Sequence, residues 1–190
     1  MEAPTEASVL LAALLLKIGT YGLYRIVLVP FTNASFYYCN FLILLNLISM
    51  VHASLVALRQ IDIKKIIAYS SIAHINICVI GLVSFNTISV AGSFVIMIGH
   101  GFISGGLFFM IGMLYNRFKS KIIIYYTGLA STMPIFSFFF FFFLLSNFSM
   151  PLTINFTGEF LILYYLLMSK QIFAYLFLLF TSFLCTIYSI

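Results

Sequence analysis

The chain has 190 residues, 64% of them hydrophobic and 7% charged, with a formal net charge of +5 and a mean hydropathy of +1.19. A soluble domain is excluded, because so little polar surface could not solvate it. The basic residues sit in short loops rather than on one face, so the positive balance is not a nucleic-acid footprint.

A membrane-spanning helix needs about 20 apolar residues, so the chain holds roughly six. Helix is the available choice, because backbone groups in lipid must be paired within the segment. No alternating barrel-strand pattern appears. The expected fold is all-α: a polytopic transmembrane helix bundle, one membrane domain over 1–190, with one span discontinuous.

The first expected span covers about 7–28 and contains Lys17 within SVLLAALLLKIGTYGLYR. A lysine at that depth costs about 2.5 kcal/mol or more, and such groups mark wet cavities and ion paths. The N-terminus has no basic n-region, and Glu2 and Glu6 oppose a transit peptide, so no import signal is expected. That fits a protein made inside the organelle or cell that uses it.

Further spans are expected at about 36–58, 65–85 and 88–114, carrying His74 and His100 near mid-span. Imidazole accepts a proton on one nitrogen while donating from the other, which suits a relay. A histidine satisfied by a neighbouring hydroxyl or carbonyl is the structural alternative. Gly101 and Gly105 have GxxxG spacing and read as a packing face. Lys64 and Lys65, after Asp62, read as interfacial topology and snorkelling charges. Ser70, Ser71 and Tyr69 are further polar groups that help hydrate the interior.

Residues 116–133 mix charge with aromatics and are expected along the interface. The stretch 134–168 is too long for one straight span, and Pro151, Thr153 and Asn155 predict a break near Met150–Asn155. Its run FSFFFFFFLL suits lipid contact. Glu159 follows in the first turns of the second half-helix, where the helix dipole favours a carboxylate. The last apolar run is 171–190.

Loops 59–65 and 117–121 carry most of the basic residues and fall on one side, with Arg25 and Lys170 near the other. The positive-inside rule places the two loops in the cytoplasm or matrix. Cys39, Cys78 and Cys185 lack CxxC or metal-ligand spacing and read as small apolar fillers. No phosphate loop, nucleophile triad or metal cluster appears, so no catalytic, metal or cofactor-binding residue is expected on this chain.

EAPTEASVLLAALLLKIGTYGLYRI at the N-terminus, RQIDIKKIIAYSSIAH at 59–74, MIGHGFISGGLFFMIGMLY at 97–115 and MPLTINFTGEFLIL at 150–163 occur in order. Together they resemble the subunit 4 branch of the antiporter-like, proton-translocating family of respiratory complex I (NADH–ubiquinone oxidoreductase), shared with Mrp-type antiporters. The resemblance implies a mitochondrial inner-membrane protein, with loops 59–65 and 117–121 on the matrix side. It implies that Lys17 is the connecting residue of a proton path, Glu159 its end in a broken helix, and His74 and His100 its intermediates. NADH, FMN, iron–sulfur clusters and ubiquinone are expected elsewhere in the complex.

The resemblance also departs from the family. The family's first glutamate and its partner lysine precede the EAP motif, so the chain is expected to be the second part of a split subunit, or a trimmed one. Expected partners are other membrane-arm subunits, lipid, and a separate chain supplying the upstream spans along residues 7–28. An Mrp-type cation/proton antiporter subunit, or a structural remnant of the membrane arm that conducts nothing, are the alternatives.

Overall fold

With no β alternation, backbone pairing falls to helices. The computed structural model, which describes residues 4–169, is helical almost throughout. The expectations for Glu2, Lys170, Cys185 and the run 171–190 lie outside the described residues. The first long helix, α1, runs Thr5–Leu28. It winds as π-helix over Leu11–Leu15 and Leu23–Leu28, on either side of Lys17. Single π turns in α-helices recur at functional sites. A short α2, Thr32–Tyr37, leads into α3, Cys39–Leu58. Then come α4, Ile63–Val83, and α5, Thr87–Phe118. A 3₁₀ turn at Ile123–Tyr126 and α6, Leu129–Thr132, lead to α7, Pro134–Asn147, and α8, Ile154–Met168.

Among the described residues, α1, α3, α4 and α5 are long and apolar enough to cross a membrane. The two halves α7 and α8 are shorter apolar helices separated by a break. The chain is thus a polytopic helix bundle. The 32-residue α5 is about 48 Å long, well beyond the ~30 Å hydrocarbon core. It runs four residues past its expected end near 114, because Tyr115, Asn116, Arg117 and Phe118 are tolerated where the helix leaves lipid. Lys119, in left-handed conformation at φ 55°, ends it.

Local sequence sets the other boundaries. Asn86 Oδ1 accepts from Ile88 N at 2.9 Å and caps α5. Phe85, at φ 53°, turns the chain between α4 and α5. Pro134 starts α7 at a position where its missing N–H costs nothing. The break runs over 148–153, two residues earlier than the expected Met150–Asn155, because Thr153 caps the second half-helix and Asn155 already lies within it. Ser149 and Leu152 both take positive φ there, and Thr153 restarts the helix by accepting from Phe156 N.

The apolar core lies where α4, α5 and α8 meet, around Ile77, Ile80, Ile96, Ile162 and Leu166. The crossing of α5 and α8 is close because it has no side chains to hold it apart. A Cβ on either Gly92 or Gly158 would stand 2.8 Å from the other's carbonyl oxygen. The expected GxxxG pair, Gly101 and Gly105, faces Ala13 of α1. On α7, Phe138, Phe139, Phe141 and Phe142 are exposed, as a lipid-facing run would be, while Phe143 packs inward.

The two basic loops touch: Ile63 N donates to Lys121 O at 3.3 Å and Ile123 N to Ile61 O at 3.1 Å. They therefore lie on one side of the bundle. Exposed Ile124 and Tyr125 suit the interfacial reading of this segment. The reading of Lys64 as a snorkelling charge is corrected. Lys65 does pair with Asp62 at 3.1 Å near the surface. Lys64, about 100° away on the helix, points inward and is only 8% exposed. It lines a cavity of about 210 Å³ that segment 119–126 closes with Ser120, Lys121 and Tyr126.

Candidate functional site

Four helices bring ionisable side chains together inside the bundle: Lys17 from α1, His74 from α4, His100 from α5 and Glu159 from α8. All four expected residues fall in one row. Lys17 turns its ammonium back onto the carbonyl of Ala12. It also reaches Ser104 Oγ at 3.4 Å. Ser104 is fully buried and lies one helical turn from His100 on α5. The rings of His100 and His74 are tilted by 36° with centroids 5.0 Å apart. His74 Nδ1 contacts Glu159 Oε1 at 3.2 Å. A carboxylate only accepts, so with Glu159 ionised the contact places a proton on His74 Nδ1.

The row is enclosed unevenly. His100 is 1% exposed, and neither of its ring nitrogens has a protein partner among the described residues. His74 Nε2 is likewise buried and unpaired. Buried polar groups are normally satisfied. Three unpaired ring nitrogens on two neighbouring imidazoles are therefore unlike core histidines held by a hydroxyl or carbonyl. Lys17 sits at the other end, beside a groove of about 530 Å³ between α1 and α5 lined by Ala13, Ile18, Phe94, Met97 and Phe102.

The glutamate end differs from expectation in one respect. Glu159 is the sixth residue of α8, past the first turn where a helix dipole acts strongly. Direct hydrogen bonds hold it instead. Ser149 Oγ, from within the break, donates to Glu159 Oε1 at 2.6 Å. Asn155 Nδ2 reaches back to Ser146 O on α7 at 3.4 Å. Asn147 Nδ2 donates to Ser70 Oγ at 3.4 Å, so one of the weakly signalled serines does join the polar cluster. Ser71 turns back to Ile67 O on its own helix.

Sequence reasoning missed Ser104 and Ser149. Serine is common in membrane helices and bonds its own backbone, so type alone carries little signal. Ser104 is four residues after His100 and Ser149 two before Pro151, and that spacing was the available clue. Among the described residues no group of three or more His, Cys, Asp or Glu could hold a metal. Cys78 is buried in the apolar core, and Cys39 Sγ donates to Val83 O at 3.3 Å.

The row sets proton donors and acceptors next to one another: an imidazole against a carboxylate oxygen, and a second imidazole beside the first. The family described as NADH:quinone oxidoreductase/Mrp antiporter, TM, matches residues 1–185. An NADH-ubiquinone oxidoreductase chain 4 from Marchantia polymorpha is 49% identical over 86% of this chain and 33% of its own length. The protein of the same name from Acanthamoeba castellanii is 45% identical over 100% of this chain and 38% of its own. The chain thus spans about a third of the length of these relatives. A chain of respiratory complex I from Thermus thermophilus, solved with bound NADH, superposes with a TM-score of 0.84 at 24% identity. That match covers 90% of this chain and 37% of that one, and it shows the fold.

Proposed function

We propose that this chain, which belongs to the NADH:quinone oxidoreductase/Mrp antiporter transmembrane family, translocates protons as a membrane-arm component of mitochondrial respiratory complex I. The observation that carries this reading is the row of ionisable groups Lys17, His100, His74 and Glu159 inside a strongly apolar helix bundle. Ionisable groups inside a membrane are expensive, face the bundle interior, and mark ion paths.

In this reading the proton moves along the row. Lys17 gives up and regains a proton through Ser104 and water admitted beside His100. Water there would satisfy the unpaired imidazole nitrogens. His100 and His74 pass the proton by accepting on one nitrogen and releasing from the other. Glu159 takes it from His74 Nδ1. Redox chemistry with NADH, FMN, iron–sulfur clusters and ubiquinone runs on other subunits. Coupled changes in local charge then drive the row.

The basic loops at 59–65 and 117–121 face the matrix of the inner membrane in this proposal, following the positive-inside rule. Partners are lipid and other membrane-arm subunits, with a separate membrane polypeptide packed along residues 7–28. Support for that partner is the exposure of Leu10, Leu14, Leu15 and Ile18 on α1 beside the Lys17 groove. Lipid alone would leave hydrocarbon against the partly buried Lys17 that borders this groove.

The test is purification of the intact assembly, with its subunits identified by mass spectrometry and its proton pumping measured in vesicles. Co-purification with flavin- and iron–sulfur-bearing subunits, and acidification driven by NADH, are expected. The second reading, an Mrp-type antiporter subunit, rests on the breadth of the family match. Cation/proton exchange without NADH would establish it.

A further inference from the structure

Ser149 is the residue in the break whose backbone and side chain ask for different explanations. Its φ of 53° lies in the left-handed region, where a side chain is disfavoured and glycine is at ease. A non-glycine residue held there stores strain that the surroundings must sustain, and such outliers cluster at functional sites. The side chain has a definite use. Its hydroxyl crosses the break and donates to Glu159 Oε1 at 2.6 Å, the length of a strong hydroxyl–carboxylate bond. His74 Nδ1 meets the same oxygen at 3.2 Å. One carboxylate oxygen therefore takes two donors, one from a fixed turn and one from the imidazole row.

We propose that Ser149 is a positioning residue for proton transfer: its hydroxyl holds the Glu159 carboxylate in the rotamer that faces His74. This rests on the proton-translocation reading above. A glutamate side chain has three rotatable bonds, and without the serine the contact at 3.2 Å is its single described anchor. The backbone of the break is tied separately, by Ser149 N on Ser146 O, Met150 N on Leu145 O and Thr153 N on Met150 O. Loss of the hydroxyl therefore frees the carboxylate without unfolding the turn. His74 Nε2 and both nitrogens of His100 stay buried behind it, so a carboxylate that swings away leaves the row without its acceptor.

The left-handed backbone makes the test sharp. Ser149→Gly suits φ 53° better than serine does, so it relieves strain while deleting the hydroxyl. Asn also tolerates this conformation and carries an amide donor, so Ser149→Asn is the rescue. The assay is protons pumped per NADH oxidised by the assembled complex in vesicles, normalised to assembled complex. Loss of one hydrogen bond to a charged group corresponds to about a tenfold fall in proton transfer. Ser149→Gly is expected to assemble normally and to pump about tenfold less per electron, and Ser149→Asn to recover part of the loss. The infrared band of Glu159, identified by its absence in Glu159→Gln, is expected to shift in Ser149→Gly, which a purely backbone role would not produce. Ser149→Ala, measured per assembled complex, serves as a second hydroxyl-free variant. Pumping unchanged in Ser149→Gly or Ser149→Ala while Glu159→Gln abolishes it overturns the positioning role alone. Pumping unchanged in Glu159→Gln overturns the translocation reading itself.

Discussion

Gly158→Ala tests how the helix crossing sets the site. The added Cβ would stand 2.8 Å from Gly92 O and 3.1 Å from Ile96 N, with the Ile96 side chain closer still. Ordinary contact is about 3.5 Å, so α8 must retreat from α5 by roughly 0.7 Å. Overpacking of this kind costs about 1–3 kcal/mol. Glu159 is the next residue and moves with the backbone. Its contact with His74 is 3.2 Å, and a bond stretched past about 3.5 Å is lost. A methyl group on a neighbouring, functionally silent residue is therefore expected to break the last link of the row. The assay is protons per electron together with the thermal stability of the assembled membrane arm. A melting temperature lower by several degrees and a several-fold loss of coupling are expected. A variant with unchanged stability and unchanged coupling would refute the packing argument. Lost stability with full coupling would refute the dependence of the row on this crossing.

Two further outcomes follow from the same geometry. Ser104→Ala removes the hydroxyl within reach of Lys17 at 3.4 Å and is expected to slow pumping by a few-fold with assembly intact, read as the rate of vesicle acidification. Asn86→Ala removes the cap on Ile88 N and is expected to destabilise the fold by about 1 kcal/mol, read by thermal melting, with protons per electron unchanged in the complex that assembles.

The spans and the break were legible because hydropathy and proline act locally. Lys17, His74, His100 and Glu159 were legible because ionisable side chains are scarce in apolar runs and each therefore calls for a partner. Their order along the row was not legible, since the distance between His74 and His100 depends on how α4 crosses α5. The inward turn of Lys64 was missed because adjacent helical positions face differently, and which one is covered depends on segment 119–126. The role of Gly92 and Gly158 was hidden for a similar reason. They lie 66 residues apart, and their meeting is a property of the packed pair. Ser149 could not be read at all from its type, because its significance lies in a backbone angle and in a hydroxyl directed across a turn.

Lys17→Ala is the most direct trial of the central claim, that the buried row carries protons. The substitution removes the ammonium and its links to Ala12 and Ser104, while leaving a modest gap beside a groove that is already open. The measurement is protons pumped per NADH oxidised by the reconstituted complex, with the quantity of assembled complex determined alongside. The account predicts a large loss of pumping per electron and a much smaller loss of assembly. Full coupling in a normally assembled Lys17→Ala complex would contradict it.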